Sequence, residues 1–80
     1  MKLSPEQRAQ LALEWRRVRT RCSKRLELFG PGRTAALQRE VGLEWRVALS
    51  KHGLRLLSER EGNRRNRRGW FLSVARKGER

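Results

Sequence analysis

The most distinctive chemistry in the sequence is a cluster of arginines in the stretch EGNRRNRRGWFLSV, residues 61–74. Four guanidiniums fall within five positions, at Arg64, Arg65, Arg67 and Arg68. Each guanidinium presents a planar fork of N–H donors that matches phosphate oxygens and guanine edges. Like charges this close repel one another, so the cluster favours an anionic partner. Such arginines contact phosphates or enter a narrow minor groove of a duplex, and we predict that these four bind nucleic acid.

Two other groups of residues are candidates for nucleic-acid contacts. The first group lies away from the buried face predicted for its helix and comprises Arg46, Val47, Ser50 and Lys51. Arg46 suits a bidentate contact to guanine, and Val47 suits an apolar contact to a thymine methyl. The second group is Arg17 and Arg21, one helical turn apart. This pair would form either a second phosphate-contacting surface or an ordinary solvated outer face.

The charge of the chain points to the same class of partner. The 80 residues include 21 Lys and Arg against 8 acidic residues, for a formal net charge of +13. Seventeen of the basic residues are Arg, the side chain best suited to phosphate recognition. So basic a balance favours nucleic acid, with an anionic membrane surface as a weaker alternative.

The residues that enzymes and metal sites require are scarce. Cys22 and His52 are the only residues of their types, so the chain forms no internal disulfide and no tetrahedral zinc site by itself. The sequence also has no Asp and no phosphate-binding glycine pattern. We therefore predict no cofactor, no metal and no enzymatic activity. Because no apolar run approaches the length of a membrane span, we expect a cytoplasmic, nucleoid-associated protein.

Residues 4–29 have the pattern of one amphipathic helix. Ser4 is a capping residue, Pro5 suits the first helical position, and Gln7 stands where a capping-box partner belongs. Apolar residues then recur at steps of three and four, at Leu11, Trp15, Val18, Cys22, Leu26 and Phe29. The sequence GPG at 30–32 is expected to end this helix.

Two shorter helices are predicted next, at residues 34–41 and 44–52. A glycine followed by leucine is typical of a helix end, and Gly42 and Gly53 both have that context. Beyond Gly53 the apolar period changes to two, which predicts an antiparallel β-hairpin over 54–76.

The second strand of this hairpin is predicted from the alternation of Trp70, Leu72 and Val74, and the basic loop at 61–69 joins the two strands. Trp15, Trp45 and Trp70 are all in phase with apolar neighbours and are predicted to be core residues. The expected fold is α+β and mostly α, with three helices followed by a two-stranded antiparallel β-hairpin in a single domain.

This order of elements resembles a winged helix-turn-helix domain. The stretches that carry the resemblance are EVGL at 40–43, SKHGLRLLSER at 50–60 and RRGWFLSVARKGE at 67–79. The resemblance implies a recognition helix in the major groove and an arginine-rich wing on the backbone or minor groove. It implies a sequence-specific or architectural protein that binds double-stranded DNA, such as a small transcriptional regulator, and is compatible with a homodimer.

Two alternatives remain at this point. The arginine-rich segments could grip structured RNA. The basic surface could also dock on an acidic protein, as an interaction or inhibitor module would. Binding to duplex DNA, duplex RNA and single strands at matched salt separates the first alternative from the DNA hypothesis, and no binding to any of them would favour the second.

Overall fold

The computed structural model describes residues 2–65 and 68–78 of the chain. It is an α+β arrangement, mostly helical, in which two helices precede a two-stranded antiparallel hairpin. The helices are α1 (Pro5–Arg25) and α2 (Arg33–Lys51), and the strands are β1 (Leu54–Leu56) and β2 (Val74–Arg76). Neither helix is long and apolar enough, within the described residues, to cross a bilayer.

The start of α1 is the capping box that the sequence predicts. The Ser4 hydroxyl accepts a hydrogen bond from the Gln7 backbone at 3.1 Å, and the Gln7 side chain accepts one from the Ser4 backbone at 3.0 Å. Pro5 occupies the first turn. These reciprocal bonds satisfy two N–H groups that a helix start otherwise leaves without partners.

The end of α1 comes earlier than predicted, at Arg25 instead of residue 29. Leu28 is 97% exposed and Phe29 56% exposed, so the predicted inward position of Phe29 is wrong. The reason lies in Arg33, whose guanidinium reaches back to the carbonyl oxygens of Ser23 and Leu26 at 3.2 and 3.0 Å. Because these bonds satisfy carbonyls near the helix end, the chain turns there without further helical turns.

The predicted division into helices at 34–41 and 44–52 is wrong, because α2 runs without a break through Gly42. Val41, Trp45 and Leu49 recur at steps of four and are all buried, so the continuous helix presents them together on one inner face. A glycine in a helix interior costs about 1 kcal/mol. Burying Trp45 and Leu49 gains about 1.5–3 kcal/mol each, so burial outweighs that cost. The described residues consequently lack the turn that a helix-turn-helix motif places there.

The second predicted helix end is confirmed at Gly53. The helix α2 ends at Lys51, and Gly53 has the left-handed φ of 69° that a glycine tolerates without strain. The two glycines differ because apolar residues continue at helical spacing after Gly42 but not after Gly53.

Replacing Gly42 by alanine is expected to raise the free energy of unfolding by about 0.5–1 kcal/mol, because alanine loses less backbone entropy in a helix interior. The added Cβ would meet the Arg65 Nη2 at 3.0 Å, which is the end of a long side chain that can shift. Urea unfolding followed by circular dichroism measures the change. A clear loss of stability would instead indicate that the Arg65 side chain does not move away from the added Cβ.

The hairpin is present, and its second strand begins later than predicted. Leu54 pairs with Arg76 and Leu56 pairs with Val74 in an antiparallel register. Trp70 belongs to a 3₁₀ turn, Trp70–Leu72, that precedes β2. In a strand, Trp70 and its neighbour Phe71 would point to opposite faces. The turn instead lets both rings contact α1, which explains why strand pairing starts only at Val74.

The core lies between the inner faces of both helices and the hairpin. Trp45 has no exposed surface, and its indole N–H donates a hydrogen bond to the carbonyl of Phe71 at 2.9 Å. The buried cluster comprises Leu11, Val18, Cys22, Val41, Trp45, Leu49, Leu54 and Val74. Trp45 therefore ties the connection between the strands to the centre of α2.

Candidate nucleic-acid interface

An open cleft of about 860 Å³ is lined by residues of α1, α2 and the connection between the strands. Four arginines from three segments line it: Arg19 from α1, Arg39 from α2, and Arg65 and Arg68 from the connection. No carboxylate lines it within 2–65 and 68–78. We call it the arginine cleft. Four guanidiniums around one open space, with no carboxylate among the described lining residues, create a positive potential that favours an anion.

The guanidinium of Arg65, at the lining of this cleft, contacts Trp70 and lies close to the backbone of α2 at Gly42. The guanidinium carbon lies 5.0 Å from the centre of the Trp70 ring, a cation–π contact. Its Nη2 atom lies 3.0 Å from where a Cβ would stand on Gly42. The absence of a side chain at Gly42 thus gives Arg65 room against α2, and this arginine is a defined part of the site.

Aromatic rings form one wall of the arginine cleft. Trp15 stacks on Phe71 with ring centres 4.6 Å apart and planes 5° apart. Trp70 meets Trp15 edge to face at 5.4 Å. The prediction that all three tryptophans are core residues is confirmed for Trp45 and fails for Trp70, which is half-buried and outside the buried cluster. Trp15 is half-buried and packs against that cluster.

Two of the four arginines predicted in the loop line the cleft, namely Arg65 and Arg68. Arg64 is exposed and is not part of the lining. Arg67 lies outside the described residues. The sequence patterns above did not identify Arg19 and Arg39 as candidates. The spacing of Arg39 and Arg46 could have indicated Arg39, because residues seven apart lie on the same flank of a helix.

The four candidate residues on α2 lie on different sides of the helix and have different neighbours. Arg46 is exposed and lies two turns along α2 from Arg39, so it extends the row of positive charge beyond the arginine cleft. Ser50 accepts a hydrogen bond from the ammonium of Lys77. Val47 and Lys51 are exposed, about 100° and about 140° around the helix axis from Arg46. The cleft therefore brings none of these four residues into its lining.

Arg17 and Arg21 lie on the other side of α1 from the cleft. Each is two residues from Arg19, which corresponds to about 200° around the helix axis. Arg21 also forms an ion pair with Glu44 at 3.6 Å. Its charge is therefore partly neutralised within the protein, and the pair is not part of the arginine cleft.

The carboxylates of α2 are engaged on this far side. Arg25 bonds Glu40 at 3.0 Å and Glu44 at 2.7 Å, and the thiol of Cys22 donates to Glu44 at 2.6 Å. The Cys22 thiol and the Arg25 guanidinium hold the pKa of Glu44 below its usual value. Burial, together with the Glu44 carboxylate, raises the pKa of the Cys22 thiol. Glu40 and Glu44 are thus paired with cationic groups outside the lining of the arginine cleft.

The same cluster contains three groups with metal-binding atoms, Cys22, Glu40 and Glu44, which lie within 4.8 Å of one another. The guanidinium of Arg25 already bonds both carboxylates and approaches the thiol at 3.4 Å. A metal ion would have to displace that guanidinium and deprotonate a thiol whose pKa is raised. The arrangement is that of a partly buried ion pair, and it links α1 to α2.

A second ion pair anchors the connection that carries Arg65 and Arg68. Arg55 on β1 donates two hydrogen bonds to Glu61, at 2.9 and 2.6 Å. The Ser58 backbone donates a third, at 3.1 Å. These bonds from Arg55 and Ser58 lower the pKa of Glu61 to about 2.

Because Glu61 has a lowered pKa in the folded protein, it stabilises the fold above its ordinary pKa and loses that effect as it becomes protonated. The free energy of unfolding is expected to fall as the pH drops from about 4.5 to about 2. Glu61→Gln should be less stable at neutral pH and show a shallower fall over this range in urea titrations. Glu59→Gln, a neighbouring exposed carboxylate, is the control. An unchanged slope in Glu61→Gln would contradict the assignment.

Comparisons of the chain with protein-family models, curated proteins and solved structures find no match.

Proposed function

We propose that the protein binds nucleic acid through the arginine cleft. The observation that carries this proposal is the segregation of charge. Four exposed arginines converge on one cleft whose described lining has no carboxylate, whereas Glu40 and Glu44 are paired on the other side of α1. Convergent guanidiniums of this kind suit the closely spaced phosphates of a nucleic-acid backbone. The net charge of +13 adds a long-range attraction to the same partner.

Duplex DNA is the form that we propose first, because Arg39 and Arg46 form a row of positive charge along one flank of α2 that suits a duplex backbone. In this proposal the cleft positions the protein on the phosphates, and Arg46, two turns along α2 from Arg39, reaches base edges. Because α2 is one continuous helix, Arg39 and Arg46 would face the duplex from the same side of it. A role as a small transcriptional regulator or architectural protein in the nucleoid, within the cytoplasm, follows from this proposal.

Binding of duplex DNA, duplex RNA and single strands of matched length, measured across a series of salt concentrations, tests the proposal. We expect binding that weakens steeply with salt, with a slope of about −0.9 per phosphate contact on duplex DNA. A preference for duplex RNA at matched salt would replace DNA as the ligand. The absence of binding to all three at physiological salt would overturn the proposal and favour an acidic protein partner.

A further inference from the structure

We infer that the arginine cleft holds one unpaired nucleotide, with its base stacked on the layer formed by Arg65 and Trp70. This inference rests on the proposed function, since it specifies which part of a nucleic acid enters the cleft. It goes further than phosphate binding, because it requires a base to leave the stack of its own strand.

The first argument is the mixed character of the lining. The cleft combines guanidiniums from Arg19, Arg39 and Arg68 with an aromatic wall that includes Trp15 and Trp70. Phosphate contacts alone do not require aromatic rings. A nucleotide has both a phosphate and a flat ring, and proteins that hold unpaired nucleotides combine positive charge with stacking surfaces.

The second argument is the size and shape of the site. Its volume of about 860 Å³ lies within the range of small-ligand pockets, about 300–1,000 Å³. A base in a continuous duplex is stacked on both faces, so only its backbone could reach such a cleft. An unpaired or extruded base has free ring faces and can enter a pocket of this size.

The third argument is the arrangement of Arg65. Its guanidinium lies over the Trp70 ring at 5.0 Å, and Gly42 leaves space for it on the side of α2. A guanidinium plane is itself a surface on which unpaired bases stack. The cation–π contact with Trp70 restricts the motion of the guanidinium, and the Arg65 side chain remains exposed to a ligand. Lysine at this position would keep the charge and lose the plane.

Three DNA probes test the inference: a short perfect duplex, the same duplex with one unpaired thymidine, and the same duplex with an abasic residue at the unpaired position. The last two have the same number of phosphates and the same interruption of the helix, and differ only in the base. We expect the protein to bind the thymidine probe about 5- to 150-fold more tightly than the abasic probe, the range for one base stacked on an aromatic group.

Arg65→Lys should reduce this ratio towards one while leaving the salt dependence almost unchanged, because the positive charge is kept. Arg64→Lys is the matched control, since Arg64 is the adjacent exposed arginine outside the cleft lining. It should keep the full ratio. Melting temperatures of both variants show whether each remains folded.

Equal binding of the thymidine and abasic probes by the wild-type protein would overturn the inference and leave the proposed function standing. A ratio that Arg65→Lys does not change, or that Arg64→Lys abolishes equally, would also overturn it. Failure to bind any of the three probes at low salt would overturn the proposed function as well.

Discussion

Replacing the four cleft arginines together by alanine is expected to weaken binding to duplex DNA by about 10³- to 10⁴-fold at about 0.1 M salt, since each lost phosphate contact removes about 0.9 from the slope of log K against log salt. The residues replaced are Arg19, Arg39, Arg65 and Arg68. All four side chains are exposed, so the substitutions should not unfold the protein. Titrations at several salt concentrations give both the affinity and the slope.

A control of equal charge separates the cleft from the general basicity of the chain. It replaces four exposed basic residues outside the cleft lining, none of them a candidate contact, by alanine: Lys2, Arg8, Lys24 and Arg60. Both variants lose four positive charges, so long-range attraction falls equally in the two proteins. If the control loses as much affinity and slope as the cleft variant, net charge determines binding and the cleft does not.

Trp45→Ala is expected to reduce the free energy of unfolding by about 3–5 kcal/mol, the usual cost of truncating a buried tryptophan. Trp45 is fully buried, its ring lies 5.3 Å from that of Trp15, and its indole N–H bonds the Phe71 carbonyl. The substitution therefore leaves both a cavity and a backbone carbonyl without its partner. Small domains have little stability to lose, so much of the variant population should be unfolded. Urea unfolding followed by circular dichroism measures the loss.

Trp70→Ala is the matched comparison, because it removes the same side chain from the edge of the cleft. Trp70 is half-buried and is not part of the buried cluster, so the variant should lose distinctly less stability than Trp45→Ala. It also removes the ring beneath the Arg65 guanidinium. If Trp70→Ala is the more destabilising of the two, Trp70 is a core residue, as its alternation with Leu72 and Val74 predicts.

The two glycines in similar contexts show how far local sequence signals extend. Gly42 and Gly53 are each followed by leucine, and the sequence predicts a helix end at both. Only Gly53 ends a helix. At Gly42 the deciding interaction is the burial of Trp45 and Leu49 against α1 and the hairpin, which a prediction from neighbouring residues does not include. Tertiary burial overrides the local preference there.

The candidate site was predicted only in part for a similar reason. The net charge and the arginine cluster at 64–68 are visible in the sequence and point to an anionic partner. Arg19 and Arg39 belong to segments distant along the chain, and they join Arg65 only through the packing of α1, α2 and the connection. The sequence also gives no sign that Gly42 makes room for Arg65.

The sequence by itself determined the features that depend on near neighbours: the Ser4–Gln7 capping box, the helix end at Gly53, the existence of the hairpin and the excess of positive charge. The tertiary structure decided the continuity of α2, the 3₁₀ turn at Trp70–Leu72 and the convergence of the arginines. The physical reason is the distance along the chain between the residues that interact. Caps and turns are satisfied by bonds within a few residues, whereas burial and the distribution of charge over a surface depend on which segments pack together.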